Sequence, residues 1–320
     1  MKLLEKLITK PKTFQRMLGL KFEQFELLLK RLNPIWKRAE LSRKARESRK
    51  RNIGGGRPYH FKKLAEMVAT VLLYYKTYAT QELVGLIVGL DQGNVSRLLK
   101  KMLPLIEQAA DPELATYLAQ AKRAFEAMPS KDKIADWIAF LKKYPDLKEV
   151  STDATEQPCY RSVDYEKQKA YYSGKKKRHE LKTQISVAGS GRALNISATV
   201  PGSIHDKKLI DQECTVKKFP ERTVQRFDSG YQGLAKEHPK HYIVTPNKKF
   251  RGEDLPPLEK ELNRAHSKRR VIVENVLSRI KKFRICSNLY RGDIDDYNDI
   301  FRNVVALVNF KLTTASGVVA

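Results

Sequence analysis

Three acidic residues have the types and neighbours for chemistry on phosphodiesters. Asp153 ends the run KEVSTD, Asp228 ends TVQRFD just before Ser229-Gly230-Tyr231, and Glu274 lies inside NRAHSKRRVIVENVLSRIKKF. The first two runs have the texture of short strands and the third is helical, so two strand ends and one helix can bring the carboxylates together. Such a group holds hard divalent cations. Mg²⁺ (or Mn²⁺) takes oxygen ligands, and two ions about 4 Å apart activate the attacking oxygen and stabilise the leaving one. A single acid at a strand end is otherwise a turn former or a helix cap, and the surroundings of Glu274 carry more. Arg270, Glu274 and Lys281 stand at i, i+4 and i+11, close to whole helical turns, and therefore share one face. Ile272, Val273, Val276, Leu277 and Ile280 form an apolar stripe on another side. The shared face is either an ion-pair ladder worth a few tenths of a kcal/mol per pair, or a metal-binding carboxylate flanked by cations that grip phosphates.

Other candidates are weaker. Asp206, in GSIHDKKL, rivals Asp228 as the middle carboxylate, but KKLIDQE follows it and a helix N-cap is the plainer role. His205 beside it reads as a local hydrogen-bonding residue. Lys175, Lys176, Lys177 and Arg178 after Gly174 suggest a hairpin tip that touches DNA. Gly189, Gly191 and Gly202 make no phosphate loop, and no serine–histidine–aspartate arrangement can be argued.

The elements upstream have a different purpose. Residues 20–33 place Phe22, Phe25, Leu28, Leu29 and Leu32 at helical spacing, and Pro34 is expected to end that helix. Phe61 to Tyr78 reads as a core helix. Thr80 is a good N-cap for QELVGLIV, Gly89 a left-handed stop, and Asp91 the cap of QGNVSRLLKKMLPLI. This is the spacing of a helix-turn-helix: Gly85 is the small residue at the crossing, and Val84, Val88, Leu90, Val95 and Leu98 face inward. Gln92, Asn94, Ser96, Arg97, Lys100 and Lys101 on the outer face of the second helix suit bases and phosphates, with Gln92, Asn94 and Arg97 reaching bases first. An ordinary helical hairpin in a bundle is the alternative.

Charge supports a polyanionic partner. The 320 residues hold 62 Lys and Arg against 36 Asp and Glu, a formal net charge of +26. Residues 1–58 carry seventeen of the basic residues and five of the acidic ones, a net of +12. Arg43, Lys44, Arg46, Arg49, Lys50 and Arg51 end at Gly54-Gly55-Gly56, a basic arm with a hinge. Lys and Arg that neutralise phosphates give salt-sensitive, largely sequence-independent affinity for double-stranded DNA. No run reaches eighteen apolar residues and no leader is apparent, so no membrane association is expected. Cys159, Cys214 and Cys286 lack metal-type pairing; buried free thiols and a cytoplasmic setting are expected.

Residues 110–145 look helical, with Leu114, Leu118, Phe125, Trp137, Ile138, Phe140 and Leu141 as buried positions. From about Leu147, KEVSTD, TQISVAG, ALNISATV, TVQRFD and HYIVTP are β-type runs, and helical patterns enter at 206–213, 230–237 and 258–285. Strands in succession, then strands alternating with helices, predict an α/β domain with a mixed sheet. The fold class is therefore multidomain, α then α/β.

Taken in order, GRPYHFKKLAEMVATVLLYYKTYATQELVGLIVGLDQGNVSRLLKKMLP, STDATEQP, YYSGKKKRHELKTQ, GSIHDKKL, FDSGYQG and RRVIVENVLSRIKKFR resemble bacterial insertion-sequence transposases of the DDE superfamily, in the branch related to eukaryotic Harbinger elements. The resemblance covers nearly the whole chain. It implies an RNase H-like catalytic domain in which Asp153, Asp228 and Glu274 bind the catalytic metals, two ions per site. The helical signature Y-x2-R-x3-E-x6-K is matched by Arg270, Glu274 and Lys281, with Ser267 where the tyrosine would stand. The expected organisation is a basic helical arm over 1–58, a helix-turn-helix domain over 59–109, a helical linker over 110–146, the RNase H-like domain over 147–313 and a tail over 314–320. The resemblance implies binding to the terminal inverted repeats of a mobile element, then metal-dependent strand cleavage and transfer to target DNA. It also implies a homodimer or larger assembly on DNA and a place at the bacterial nucleoid. A DNA-binding regulator or inactivated relative, and a stand-alone metal-dependent endonuclease, are the competing functions.

Overall fold

The structure, a computed structural model, describes residues 3–45, 60–131, 133–174, 176–249, 252 and 254–315. The chain divides into two compact units: residues 1–112 with 281–288 and 299–320, and residues 113–280 with 289–298. Among the described residues no helix is long and apolar enough to cross a membrane.

The first unit contains α1 (Leu3–Ile8), α2 (Pro11–Leu18), α3 (Phe22–Lys44), α4 (Leu64–Thr77), α5 (Gln81–Val88) and α6 (Gln92–Ala110). Helix α4 is its centre: every residue from Glu66 to Tyr75 is buried, so it is covered all round rather than along one stripe. Pro34 does not end α3, which runs on to Lys44. A proline inside a helix costs about 3 kcal/mol, and packing offsets it here. Buried Glu40, beyond the proline, pairs with Lys101 of α6, and the Lys101 ammonium lies 4.3 Å from the Trp36 ring centre.

The caps of α5 and α6 are those the sequence predicts. Thr80 Oγ1 accepts the Leu83 N–H at 3.2 Å, Asp91 Oδ1 accepts the Asn94 N–H at 2.7 Å, and Gly89 sits at φ +76°. Of the expected inward positions Val84 and Val95 are fully buried and Val88, Leu90 and Leu98 half-buried. Gln92, Asn94, Arg97 and Lys100 are exposed, Ser96 and Lys101 half-buried. Arg49, Lys50 and Arg51 lie outside the described residues.

The second unit begins with α7 (Tyr117–Glu126) and α8 (Ile134–Lys143), then β1 (Glu149–Pro158), α9 (Tyr165–Tyr171), β2 (Tyr172–Ser173), β3 (Arg178–Ala188), β4 (Ala193–Ile196) and β5 (Val200–Pro201). It continues through α10 (Asp206–Gln212), α11 (Thr215–Lys218), β6 (Val224–Arg226), α12 (Leu234–Glu237), β7 (Ile243–Val244) and α13 (Pro257–Lys281). Helix α14 (Ile294–Ala315) starts in this unit, but from Asp299 its residues belong to the first. There Arg302 pairs with Glu107, Asn309 with Asp111 and Thr314 with Gln24.

The sheet is mixed, in the order β2-β3-β1-β6-β7, with β4 and β5 also on β3. Strand β3 runs antiparallel to β1, whereas β6 and β7 run parallel to it and to each other. Alternation gives β1 two unlike faces. Val150 joins Ala188, Leu194 and Phe219 in an apolar cluster with Phe125 and Phe140 of α7 and α8. Glu149, Asp153 and Gln157 point to the opposite face, where α13 and the start of α14 meet them: Tyr297 donates its hydroxyl to Gln157 at 3.3 Å. Two sequence expectations are corrected here. Ile138 is 52% exposed, because Trp137 and Phe140 supply the inward side of α8. Cys214 is exposed rather than buried, in a left-handed turn between α10 and α11, while Cys159 and Cys286 are buried.

Candidate active site

Register places the first two carboxylates. Ser151 of β1 pairs with Arg226 of parallel β6, and Asp153 and Asp228 each stand two residues further on. They therefore reach the same level of two neighbouring strands. The Asp228 carboxylate accepts the Gly230 N–H at 2.8 Å, which ties it to the turn Ser229–Tyr231. Asp153 is half-buried. Burial pushes its carboxyl up to about 6, against the Arg270 guanidinium and the Ala154 N–H, and the negative charges of Asp228 and Asp206 add to the rise. A carboxylate so placed is short of positive charge.

Helix α13 supplies some. Arg270 Nη2 lies 3.4 Å from Asp153 Oδ2, and Arg269 donates to Glu149 at 2.9 Å. Glu274 is one turn beyond Arg270, exposed. Lys281 is exposed at the end of the helix and Ser267 is exposed near its middle. The structure thus brings Asp153, Asp228 and Arg270 together and leaves Glu274 one helical turn along the same face. Among the described residues no set of three or more His, Cys, Asp or Glu converges closely enough to hold an ion.

Asp206 does not cap α10. His205 does, its Nδ1 facing the Lys207 N–H at 3.3 Å, and Asp206 is the first helical residue. Its carboxylate pairs at 2.8 Å with Lys182, a lysine only 8% exposed whose ammonium also donates to the Ile204 carbonyl at 2.7 Å. Tyr231 lies between these acids, fully buried. Burial first, then the charges of Asp206 and Asp153, make its phenol a weaker acid, and its oxygen accepts from Gln184 Nε2 at 3.2 Å. The field of Asp206 therefore reaches the site while its own charge is met by Lys182. Of the basic run that follows Gly174, Lys176 and Lys177 are exposed, Arg178 is tied to Glu180 at 2.6 Å, and Lys175 lies outside the described residues.

His266 is the residue that sequence reasoning missed. Buried on α13, it stands 2.9 Å from the Phe227 carbonyl through Nε2 and 3.5 Å from Arg226 through Nδ1. A carbonyl only accepts and a guanidinium only donates, so Nε2 carries the proton and Nδ1 is bare. Burial lowers the imidazole below the usual histidine range, and the Arg226 and Arg270 charges act the same way against the Phe227 bond, which keeps the ring neutral at pH 7. The helix is thereby fastened to the residue before Asp228. The sequence signal was slight: a histidine on the inward side of α13, four positions before Arg270. His266→Ala should leave the carbonyl unpaired, cost about 1–3 kcal/mol and slow any reaction at Asp228 by up to about a hundredfold through misplacement. Thermal melts and single-turnover rates check both.

The donors available are hard carboxylate oxygens short of positive charge, and they suit Mg²⁺ or Mn²⁺ rather than a soft metal. Asp153 does not end its strand as the sequence run suggests, because pairing with β3 carries β1 on to Pro158. A mixed α/β unit with one acid inside a strand and a second just past the end of its parallel neighbour defines a class that comparison makes specific. Residues 152–309 match the family described as DDE superfamily endonuclease. The chain is 30% identical over 246 residues, 77% of its own length and 79% of the relative's, to a probable transposase for insertion sequence element IS702 from Microchaete diplosiphon. No solved structure matches it. The chain belongs to the insertion-sequence transposases of the DDE superfamily, whose endonuclease domains generally use divalent metal ions.

Proposed function

We propose that the protein binds the terminal inverted repeats of its own mobile element, cuts the DNA there and joins the freed end to target DNA. The observation that carries this is the level placement of Asp153, on β1, and Asp228, two residues past the end of parallel β6, with α13 locked to the same face through Arg270 and His266. Strand order β3-β1-β6-β7, antiparallel then parallel, suits an RNase H-like domain. The capped pair α5 and α6 suits a helix-turn-helix, with Gln92, Asn94 and Arg97 toward bases and Ser96, Lys100, Lys101 and the arm with Arg49, Lys50 and Arg51 toward phosphates.

Asp153, Asp228 and Glu274 would hold two divalent ions, Glu274 joining from its place one turn beyond Arg270. Held by these carboxylates, such ions would supply polarisation of the phosphodiester and a lowered pKa for the attacking water or hydroxyl. The protein's residues do the rest. The Gly230 N–H fixes the Asp228 carboxylate, Arg270 restrains Asp153 and can turn to a phosphate oxygen, and Lys281 offers a second cation. Water attacks phosphorus and the departing strand keeps its 3′-oxygen, which takes up a proton. That 3′-hydroxyl then attacks a target phosphodiester: a new O–P bond forms, the old one breaks, and the target's 3′-oxygen leaves. No covalent protein intermediate is needed. Two element ends must be paired, so a dimer or larger assembly on DNA in the bacterial cytoplasm belongs to the same proposal.

Labelled duplex carrying the element's ends, incubated with Mg²⁺ and a second unlabelled duplex, tests it. Joined product is expected. Cut but unjoined ends would make the protein a nuclease, and binding without either product would make it a regulator or an inactive relative.

A further inference from the structure

The connection between β1 and β3 presents an unusual amount of aromatic surface. Tyr160 is 56% exposed, Val163 101%, Tyr165 74% and Tyr172 44%. Single exposed apolar residues need no explanation, but four of them, three aromatic, fall within thirteen positions of one connection. Helical geometry arranges part of it. Tyr165 and Tyr172 are seven residues apart on and just beyond α9, about two turns, and Lys169 stands between them at i+4. The result is a tyrosine–lysine–tyrosine stripe whose rings are anchored about 10 Å apart along the axis.

The stripe is fixed rather than loose. Asp164 caps α9 by accepting the Lys167 N–H at 3.1 Å, and Arg161 donates to Gln168 at 2.8 Å, pinning the approach to the helix. Tyr171, on the other side, is half-buried, with its phenol made less acidic by burial and then by Cys159 and Asp295. Tyr172 meets the His179 ring edge-on at 5.5 Å, which holds its own ring while leaving nearly half of it open. The charges around it are largely of one sign. Arg161, Lys167, Lys169, Lys176 and Lys177, all exposed, belong to the same stretch of chain, against Asp164 and Glu166.

Open aromatic faces on a pinned backbone, set among cations, are what successive unpaired bases require, since every base has a π-face and every nucleotide a phosphate. A duplex hides its base faces and would engage only the cations. Resting on the DNA-processing function proposed above, we propose that Tyr160, Tyr165 and Tyr172 form a stacking platform for unpaired nucleotides of a DNA strand. The platform leaves β1 about 17 Å beyond Asp153 along the strand, five residues at about 3.3 Å each. Strand ends opened by cleavage are the natural source of such nucleotides.

The test uses the full chain, fluorescent oligo(dT) and, separately, oligo(dT) carrying one 2-aminopurine, at salt high enough to screen phosphate contacts. Tyr165→Ala and Tyr172→Ala should each weaken oligo(dT) binding by about fivefold to a hundredfold and abolish the 2-aminopurine quenching seen with wild type. Tyr→Phe at either position should keep both, and duplex affinity and melting temperature should not change. Wild-type affinity and quenching in the alanine variants would overturn the proposal, as would equal losses in the phenylalanine variants, because then the ring face is not the contact. The two levels separate cleanly. If the protein cuts DNA but the alanine variants bind oligo(dT) normally, only the platform falls; if the platform binds but no cutting occurs, only the catalytic function falls.

Discussion

Asp153→Asn is expected to abolish cleavage and, at pH 7.5, to make the protein harder to unfold. The first effect follows from the proposed place of Asp153 as a charged metal ligand, at least about a thousandfold in rate on the several kcal/mol that metal assistance supplies. The second comes from the sign of its perturbation. The folded-state value of about 6 lies above that of an unfolded aspartate, so the carboxylate prefers its neutral form when folded. Its stabilising contribution is complete below about pH 4 and is lost as the pH rises through about 6, leaving a full deficit at neutrality. Asparagine removes that deficit, a gain of about 1–3 kcal/mol. Melts of both proteins across pH 4 to 8 should converge at the acid end and separate toward neutrality. Added Mg²⁺ should raise the melting temperature of wild type alone, by mass action on the folded state.

Gly85→Ala is the second large effect, in the other unit. A Cβ at this position would press into the backbone carbonyl oxygen of Leu90, which cannot swing aside as a side-chain tip would. The same turn depends on the Gly85 carbonyl, which accepts the Leu90 N–H at 2.9 Å, and on the left-handed Gly89. Alanine at 85 must push α5 from α6, costing about 1–3 kcal/mol as in an overpacked core. Duplex affinity should fall with it, since the outward face of α6 then loses its orientation. Gly89→Ala, where only the positive φ is strained, should cost about 1 kcal/mol and spare most of the binding. Urea melts and anisotropy titrations distinguish the two.

Local chemistry was legible in the sequence where it is decided locally. Thr80, Gly89 and Asp91 set the limits of α5 and α6 because caps depend on a few neighbouring atoms, and the i, i+4 spacing alone places Arg270 and Glu274 on one face of α13. Pro34 misled because its cost is local but its compensation, Glu40 and Trp36 against Lys101, is tertiary. Asp206 misleads in the opposite way: its sequence context predicts a cap, but the neighbouring histidine takes that role and a buried lysine 24 positions upstream takes the carboxylate. His266 was silent in the sequence because its role lies in a single bond to the backbone of another element. The passage of α14 into the first unit is a long-range choice that periodicity does not encode.

The acid just past the end of β6 is proposed as catalytic, whereas the acid of GSIHDKKL, held by Lys182, is proposed not to be a metal ligand. Cleavage of the element's ends in Mg²⁺ by wild type, Asp228→Asn and Asp206→Asn, at matched salt and with binding measured in parallel, tests it directly. Asp228→Asn should bind the ends without nicking them, while Asp206→Asn should retain cleavage. A dead Asp206→Asn beside an active Asp228→Asn, or metal-dependent cleavage untouched by either change, would contradict it.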